Sequence, residues 1–328
     1  MSESNQKLEY QGTGGELFGV VIVNLLLTIL TFGIYSFWAR TRLRRYFYGQ
    51  TDLAGDRFGY HGTAMELLRG WLRAVGVLLL VGIVFSGLFA LVTPRSPDAQ
   101  PSGTQALIML AVMLLYLGTL MALVAIAVNG ARRYRFSRSS WRGIRFSFRG
   151  RWQDFLQLVI RGGVLTGLTL TLYSPFYRNQ LRAFLVDHAY FGSLKFEYDG
   201  DGKELFPQYL LALLLTIPTL GLYLFWFNAF QQRYFWSHTT VGGARFQSTV
   251  TGGTLLGLMA TNLLLVLVTL GIGMPWAMTR TMRYVCDHLT LVGEVDWKTV
   301  QQQAMAASAT GEGLAEGLDV DVDIGIGM

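Results

Sequence analysis

The sequence has few of the side chains that form disulfides, metal clusters or a charged surface. Its one cysteine, Cys286, excludes an intramolecular disulfide and a cysteine-rich metal site. Charged residues make up only 15% of the 328 residues, against roughly a quarter in soluble domains. With 52% hydrophobic residues and a mean hydropathy of +0.36, this composition is typical of a protein in a lipid bilayer.

Sequence motifs of common enzymes are also absent. The chain has no phosphate-binding loop of the Walker type, no H-E-x-x-H, no nucleophile elbow and no C-x-x-C. The glycine-rich stretches GTGG and TGGT lead directly into apolar runs and lack a following lysine, so they do not predict phosphate binding. We therefore expect no enzymatic activity and no cofactor.

Six long apolar runs follow a polar N-terminal segment, residues 1–16. A run of about 22 to 25 residues forms a helix of roughly 33–37 Å, enough to cross the ~30 Å hydrocarbon core of a bilayer. No cleavable signal peptide is visible, because no small-residue cleavage pattern follows the first run. The simplest prediction is an all-α polytopic membrane protein with about six transmembrane helices. The runs are 17–39, 71–93, 105–129, 156–177, 207–228 and 255–277.

One sequence unit of about 50 residues recurs along the chain. LEYQGTGGELF at 8–18 recurs as FGYHGTAMELL at 58–68, and related stretches begin at 146, 196 and 246. Each of the five predicted units contains an apolar helix and a short extended, β-like segment at the membrane interface. The unit bounds are 8–57, 58–145, 146–195, 196–245 and 246–297, within a transmembrane domain of 17–298. We expect the acidic tail, 299–328, to be disordered.

A Gly, a Trp and an Arg-Tyr pair follow the apolar run at fixed spacing in most units. We interpret them as residues of the membrane interface or as lipid contacts, because Trp and Tyr favour the headgroup level and arginine can extend its side chain towards it. In the third unit, Phe176 stands in the Trp position and Ala183 in the Arg position. The motif residues are Gly33, Trp38, Arg45 and Tyr46; Arg133 and Tyr134; Gly221, Trp226, Arg233 and Tyr234; and Gly271, Trp276, Arg283 and Tyr284.

Two sets of polar residues are the remaining site candidates. Asn24 and Asn262, in the first and the last run, each predict a hydrogen bond to a neighbouring helix. Three histidines share one position in successive units, and three histidines can bind zinc. Because Gln50 and Arg138 take that position in the other units, we favour a polar turn over a metal site. The histidines are His188, His238 and His288.

The pattern T-[LF]-G-[ILM]-Y…W…R…RY, followed by G…F-x-Y-x-G, resembles the YjgN-like family of bacterial inner-membrane proteins. The domain of that family is classed as of unknown function. The resemblance covers about residues 8–298. It implies a multi-pass protein of the bacterial inner membrane, and it supplies no catalytic residues.

Two topologies fit the apolar runs. Either each run crosses the membrane once, so that successive units alternate in orientation, or the runs of four units dip into the membrane and return. We favour single crossings, because a return at Gly33 would place Arg40 deep in hydrocarbon, at about 2.5–3.5 kcal/mol. The arginine-rich segments 40–70 and 130–154 are expected in the cytoplasm.

Two functions remain open. The protein is either a non-transporting scaffold or lipid-binding protein, or a transporter or channel for a small solute built from inverted repeats. The motif glycines lie near the Trp positions rather than at mid-helix, which slightly favours the first function. The lack of Asp or Glu in the middle of any run argues against a carboxylate proton relay. The net charge of +6, mostly from arginine, predicts contact with the bilayer and anionic phospholipid rather than nucleic acid, and it is compatible with a homo-oligomer.

Overall fold

The fold is a closed β-barrel that carries pairs of α-helices on one rim. A computed structural model describes residues 5–94, 101–302 and 310–318. The strands are β1 (Asn5–Tyr10), β2 (Thr51–Leu53), β3 (Asp56–Tyr60), β4 (Ser139–Trp141), β5 (Ile144–Phe148), β6 (Ala189–Phe191), β7 (Leu194–Tyr198), β8 (Thr239–Val241), β9 (Ala244–Ser248) and β10 (Leu289–Val292). They pair antiparallel in the closed order β1-β10-β9-β8-β7-β6-β5-β4-β3-β2.

Two helices follow each odd-numbered strand and precede the next even-numbered strand. We call each such strand–helix–helix–strand group a module, and number the modules 1 to 5 along the chain. The helix pairs are α1 (Gly14–Leu30) with α2 (Ser36–Gly49), α3 (Ala64–Val92) with α4 (Gly103–Arg138), α5 (Trp152–Leu168) with α6 (Ser174–Asp187), α7 (Gly202–Thr216) with α8 (Tyr223–Ser237), and α9 (Gly252–Val268) with α10 (Met274–Asp287). A further helix, α11 (Thr310–Gly317), follows the barrel.

All five helix pairs leave the same rim of the barrel. The last residue of β1, Tyr10, pairs with the first residue of β2, Thr51, so the chain returns to the point from which it left. Tyr60 and Ser139 are paired in the same way in module 2. Because neighbouring strands are antiparallel, every odd-numbered strand ends at this rim, which we call the helical rim. The β-turns between modules lie at the opposite rim, the turn rim.

The prediction of an all-α protein with about six transmembrane helices is therefore wrong. Among the described residues, only α3 and α4 are long and apolar enough to cross a membrane. The other four apolar runs are each broken by a turn into two helices of 14 to 17 residues. Single crossings with alternating orientation fail for the same reason, since both ends of every helix pair lie at the helical rim. The length of these runs predicted transmembrane helices because length alone does not show that the chain turns back within the run.

A short Thr-x-Gly sequence produces the reversal. Gly33 has a φ of +91°, and its N–H donates to the Thr28 carbonyl five residues earlier, which ends α1 in a left-handed cap. Thr31 Oγ1 then accepts a hydrogen bond of 2.9 Å from the N–H of Tyr35, where α2 begins. Modules 4 and 5 repeat both contacts around Gly221 and Gly271, which also have a positive φ. In module 3 the glycine position is occupied by Thr171, at φ +73°.

Neighbouring modules pack through their helices into a ring. The second helix of each module contacts the first helix of the next, and α10 contacts α1 to complete the circuit. Inside the barrel, aromatic and aliphatic side chains form the core. Trp297, from the segment that follows β10, enters this core from the turn rim, with its ring 4.8 Å from that of Trp141 and 5.9 Å from that of Phe191.

Part of the C-terminal tail is described. Of the segment 299–328, for which disorder was predicted, residues 303–309 and 319–328 lie outside the described residues. Helix α11 packs against α3 and α4, where Leu314 and Ala315 are buried beside Ala74 and neighbouring alanines. A Cβ on Gly313 would lie 2.5 Å from the backbone of α3, so this helix contact requires glycine.

Candidate functional site

The four short helix pairs present fully exposed apolar side chains at their tips. The residue just before each turn glycine, or its counterpart in module 3, is large and apolar. The exposed fractions are 98% for Phe32, 84% for Leu170, 93% for Leu220 and 93% for Leu270. Such side chains, repeated at four sites on one side of the barrel, mark a membrane contact rather than a water-facing surface.

The exposed apolar surface has two depths. On α1 it extends from Ile22 to the tip at Phe32, about 15 Å at 1.5 Å per residue, and α5 and α7 have the same extent. On α3 it extends from Leu72 to Leu91, about 29 Å. A hydrocarbon core is ~30 Å thick, and one leaflet contributes half of that. The short pairs therefore match one leaflet, and the α3–α4 pair matches the whole bilayer.

Exposed arginines lie where the apolar surface of the short pairs ends. Arg161 follows Ile160 at the start of the exposed surface of α5, and Arg42 and Arg280 lie ten residues beyond their tips. At about 15 Å from a tip, these side chains reach the headgroup level. Arg40 lies only about 3 Å deeper than Arg42. In a hairpin that enters one leaflet, Arg40 therefore lies near the headgroups, and the cost of placing it deep in hydrocarbon no longer argues against a return at Gly33.

The repeated arginine joins each module to the next. Arg45 donates a hydrogen bond of 3.0 Å to the carbonyl of Gly62, which follows β3 of module 2. The same bond recurs from Arg133 to Gly150 at 3.4 Å, from Arg233 to Val250, and from Arg283 to Gly12 at 2.9 Å. The last of these bonds joins module 5 back to module 1.

Module 3 makes this contact with a different residue. Ala183 stands in the arginine position, and Asn179, one helical turn earlier, donates a bond of 2.9 Å to the Gly200 carbonyl of module 4. The side-chain Oδ1 of Asn179 also accepts a bond of 2.6 Å from the hydroxyl of Tyr198. The motif spacing does not indicate Asn179, because the replacement is visible only when the i, i+4 neighbours on a helix are compared.

The tyrosine after the arginine bonds within its own module. The hydroxyl of Tyr46 accepts a bond of 3.0 Å from the N–H of Thr13, the N-cap of α1. The hydroxyls of Tyr134, Tyr234 and Tyr284 contact Glu66, Asp201 and Thr254 at the starts of their own first helices. Adjacent Arg and Tyr side chains thus fix the second helix to two modules at once.

The repeated tryptophan packs where the next module begins. A Cβ on Gly252 would lie 2.5 Å from the Trp226 ring, and a Cβ on Gly14 would collide with Trp276. Phe176 packs on Gly202 in the same way, and Trp38 lies in one cluster with Ala64. The structure therefore places the motif residues in contacts between and within modules, while their proposed role as lipid contacts stays a prediction.

The histidines lie at helix ends. The Nδ1 atoms of His188, His238 and His288 are each 2.8 Å from the carbonyl oxygen four residues earlier, which caps the helix C-terminus. Each ring also packs against the aromatic residue at that earlier position. Among the described residues, no group of three or more His, Cys, Asp or Glu is placed to hold a metal ion.

The two asparagines differ in their contacts. Asn262 donates a bond of 3.0 Å to the hydroxyl of Thr281, across its own helix pair. Asn24 is buried, and its side-chain amide has no hydrogen-bond partner within the described part of the chain.

Burial shifts the pKa of several ionisable groups near the barrel, among them Asp187 and Cys286. Burial raises the pKa of Asp187, although the carboxylate accepts a bond of 3.0 Å from the Tyr198 N–H. Burial also raises the pKa of the Cys286 thiol to about 12. This thiol lies in the barrel core, so it stays protonated and unreactive at neutral pH.

A barrel with exposed apolar helix pairs on one rim, two of whose helices are long enough to cross a bilayer, defines a membrane protein. The chain belongs to the family described as "Bacterial protein of unknown function (DUF898)", which matches residues 5–212, 193–253 and 225–317. This membership confirms the family resemblance of the repeated segments.

Curated relatives carry the name inner membrane protein YjgN. The protein of Escherichia coli O157:H7 is 32% identical over 148 residues, which make up 45% of this chain and 32% of that protein. The Salmonella typhimurium LT2 protein is 27% identical over 174 residues, 52% of this chain and 38% of that protein. The matched segments span only about a third of the length of these relatives. No solved structure matches the chain.

Proposed function

We propose that this protein is a non-transporting scaffold of the bacterial inner membrane, inserted mainly into the cytoplasmic leaflet. The α3–α4 pair crosses the bilayer twice, the four short pairs enter one leaflet and return, and the barrel lies in the cytoplasm. The name of the curated relatives supports the inner membrane as the location.

The observation that carries this proposal is the difference in apolar depth. The short pairs expose about 15 Å of apolar surface and the long pair about 29 Å. Because all pairs leave the same rim, one membrane plane satisfies both depths at once. The recurrence of equivalent Arg and Tyr bonds in the modules supports internal repeats of a single orientation.

Charge supports the cytoplasmic side for the barrel. The arginine-rich segments 40–70 and 130–154 lie in the second helices, the barrel strands and the first turns of α3 and α5. Positively charged segments near membrane helices favour the cytoplasm. Both the first strand and the segment after β10 belong to the barrel, so they lie on the same side.

The barrel interior favours a scaffold over the alternative of a transporter or channel. Trp141, Phe191 and Trp297 pack against one another in the barrel core, and Phe146 packs against Phe191. A solute path through the barrel would have to displace these rings.

Cysteine labelling from each side of the membrane tests the insertion. Single cysteines at Ala54 and Ser193, both exposed on the turn rim, should react with an impermeant maleimide only after the cytoplasm is opened. A cysteine at Ser102, beyond the membrane-spanning part of α4, should react from the outside. Cysteines at Phe32 and Leu270 should stay protected from both sides. The native Cys286 is a suitable background because it is buried.

Two results would contradict the proposal. Labelling of the Phe32 or Leu270 position from the outside would mean that a short pair crosses the whole bilayer. Labelling of the Ala54 and Ser193 positions from opposite sides would restore alternating orientation, because one apolar run precedes Ala54 and four precede Ser193.

A further inference from the structure

A groove lined by both polar and apolar side chains separates α4 from α5 at the junction of modules 2 and 3. Its volume is about 330 Å³. Residues of both helices and of the turn before α5 line it, among them Ile126, Asn129, Arg133, Arg151 and Trp152.

The groove exists because the large and the small residue have exchanged positions at this junction, compared with the other junctions between modules. Elsewhere an aromatic ring of the second helix packs on a glycine or alanine that begins the next module, as Trp226 does on Gly252. At this junction Ile126 stands in the Trp position and Trp152 in the glycine position. The smaller Ile126 leaves open the space that an indole or phenyl ring fills at the other junctions.

The groove also contains a surplus hydrogen-bond donor. Asn129 occupies the position of Asn179 one module earlier, and the carbonyl available to it would be that of Gly150. Arg133 already donates to this carbonyl. The Asn129 side chain is only 5% exposed, and its Nδ2 has no partner among the described residues. The buried Nε of Arg133 likewise has no partner there.

Charge at the groove is positive. Arg133 lies in its wall and Arg151, whose side chain is largely exposed, at its edge. Asp154 is 4.0 Å from Arg151 and offsets part of that charge. Two arginines against one aspartate leave a net charge of +1. The first N–H groups of α5 add partial positive charge, because Arg151, the N-cap, provides no side-chain hydrogen bond to them.

The groove lies at headgroup level in the proposed membrane plane. Trp152 precedes Ile160, where the exposed apolar surface of α5 begins, by eight residues or about 12 Å. The groove is thus above the hydrocarbon core, and the apolar Ile126 forms its lower part.

We propose that this groove binds the phosphate group of an anionic glycerophospholipid. Asn129 Nδ2 and the Arg133 guanidinium donate to phosphate oxygens, Arg151 attracts the charge at the edge, and an acyl chain passes Ile126 into the bilayer. The inference rests on the proposed function only in that the membrane plane places the groove at headgroup level.

Calorimetric titration of the full chain in neutral detergent tests the site. The ligands are dihexanoyl phosphatidylglycerol, dihexanoyl phosphatidylcholine and glycerol 3-phosphate. We expect the anionic lipid to bind at least about tenfold more tightly than the other two. Asn129→Leu and Arg151→Gln should each weaken its binding about tenfold. Arg145→Gln removes an exposed charge on the barrel, away from the groove, and should leave binding unchanged.

Distinct outcomes separate the possible failures. Equal binding of phosphatidylglycerol by the parent, Asn129→Leu and Arg151→Gln proteins would overturn the binding site. The proposed membrane insertion would still stand after that result if cysteines at Phe32 and Leu270 are protected from labelling. Tight binding of glycerol 3-phosphate would identify a soluble phosphate compound and overturn the lipid assignment. Because Asn129 is buried, the melting temperature of Asn129→Leu is measured in parallel; if that variant unfolds, the exposed Arg151→Gln variant decides the result alone.

Discussion

The contact between the first and the last module is the most sensitive point of the ring. Strands β1 and β10 share three residue pairs, Asn5 with Val292 through Lys7 with Thr290. Beside them, Arg283 donates a bond of 2.9 Å to the Gly12 carbonyl. No covalent loop joins these two modules directly, so the strand pairing and the side-chain contacts here must hold the barrel closed.

The substitution Arg283→Met keeps an unbranched apolar stem similar to that of arginine and removes the charged donor. A hydrogen bond from a charged group contributes about 1.5–3 kcal/mol, and its loss also leaves the Gly12 carbonyl short of a partner. If the contact between modules 5 and 1 opens locally, this loss makes opening about 10- to 100-fold more frequent. Hydrogen exchange of β1 and β10, followed by mass spectrometry in detergent, measures the change directly.

Arg280→Met is the matched control. Arg280 lies on the same helix, but it donates to Thr261 of its own helix pair. Arg280→Met should leave the hydrogen exchange of β1 and β10 unchanged. As a second control, Arg283→Met should leave the hydrogen exchange of the distant strands β4 and β5 unchanged. Unchanged exchange of β1 and β10 in Arg283→Met would refute the role of the repeated arginine as a contact between modules.

Three further predictions follow from single contacts. Asn179→Ala should lower the free energy of unfolding by about 1–3 kcal/mol, and adding Ala183→Arg should restore much of it; an unrestored melting temperature would contradict the equivalence of the two donors. Gly271→Ala should destabilise by roughly 1–2 kcal/mol because of its positive φ, whereas Gly257→Ala, in open space on α9, should not. With a pKa of about 12, the Cys286 thiol should not react with a disulfide reagent at pH 8 until the protein is unfolded. The thiol contributes its full stabilisation below its ordinary pKa of 9.0. This contribution falls as the pH rises towards 12, because the unfolded chain loses the proton first.

Composition and motif spacing predicted part of this structure. The low charge and the apolar runs indicated a membrane protein, and the spacing of Gly33 and Arg45 marked residues that the fold uses. The signal for the helix reversal was also present, since Thr31 and Gly33 form a C-cap followed by a new N-terminus. The length of the apolar run led to a prediction of a transmembrane helix instead, because the 23 residues of the run 17–39 are enough to cross a bilayer even when a turn divides them.

The barrel could not be predicted from local patterns. Strands such as β2 and β4 have only three residues, too few for an alternating pattern to stand out. Closure depends on pairs such as Lys7 with Thr290, at opposite ends of the described sequence. The groove beside Asn129 likewise depends on which of two donors reaches the Gly150 carbonyl, which only the packed helices decide.

The unequal depth of the helix pairs has a consequence for the shape of the membrane itself. In the proposed orientation, the four short pairs add eight helices to the cytoplasmic leaflet, while the described part of the chain adds only α3 and α4 to the opposite leaflet. At a helix diameter of about 10 Å, the excess cross-section is roughly 600 Å². A flat bilayer must compress lipids on one side to accommodate this excess, so the protein should collect where the inner membrane bulges towards the cytoplasm.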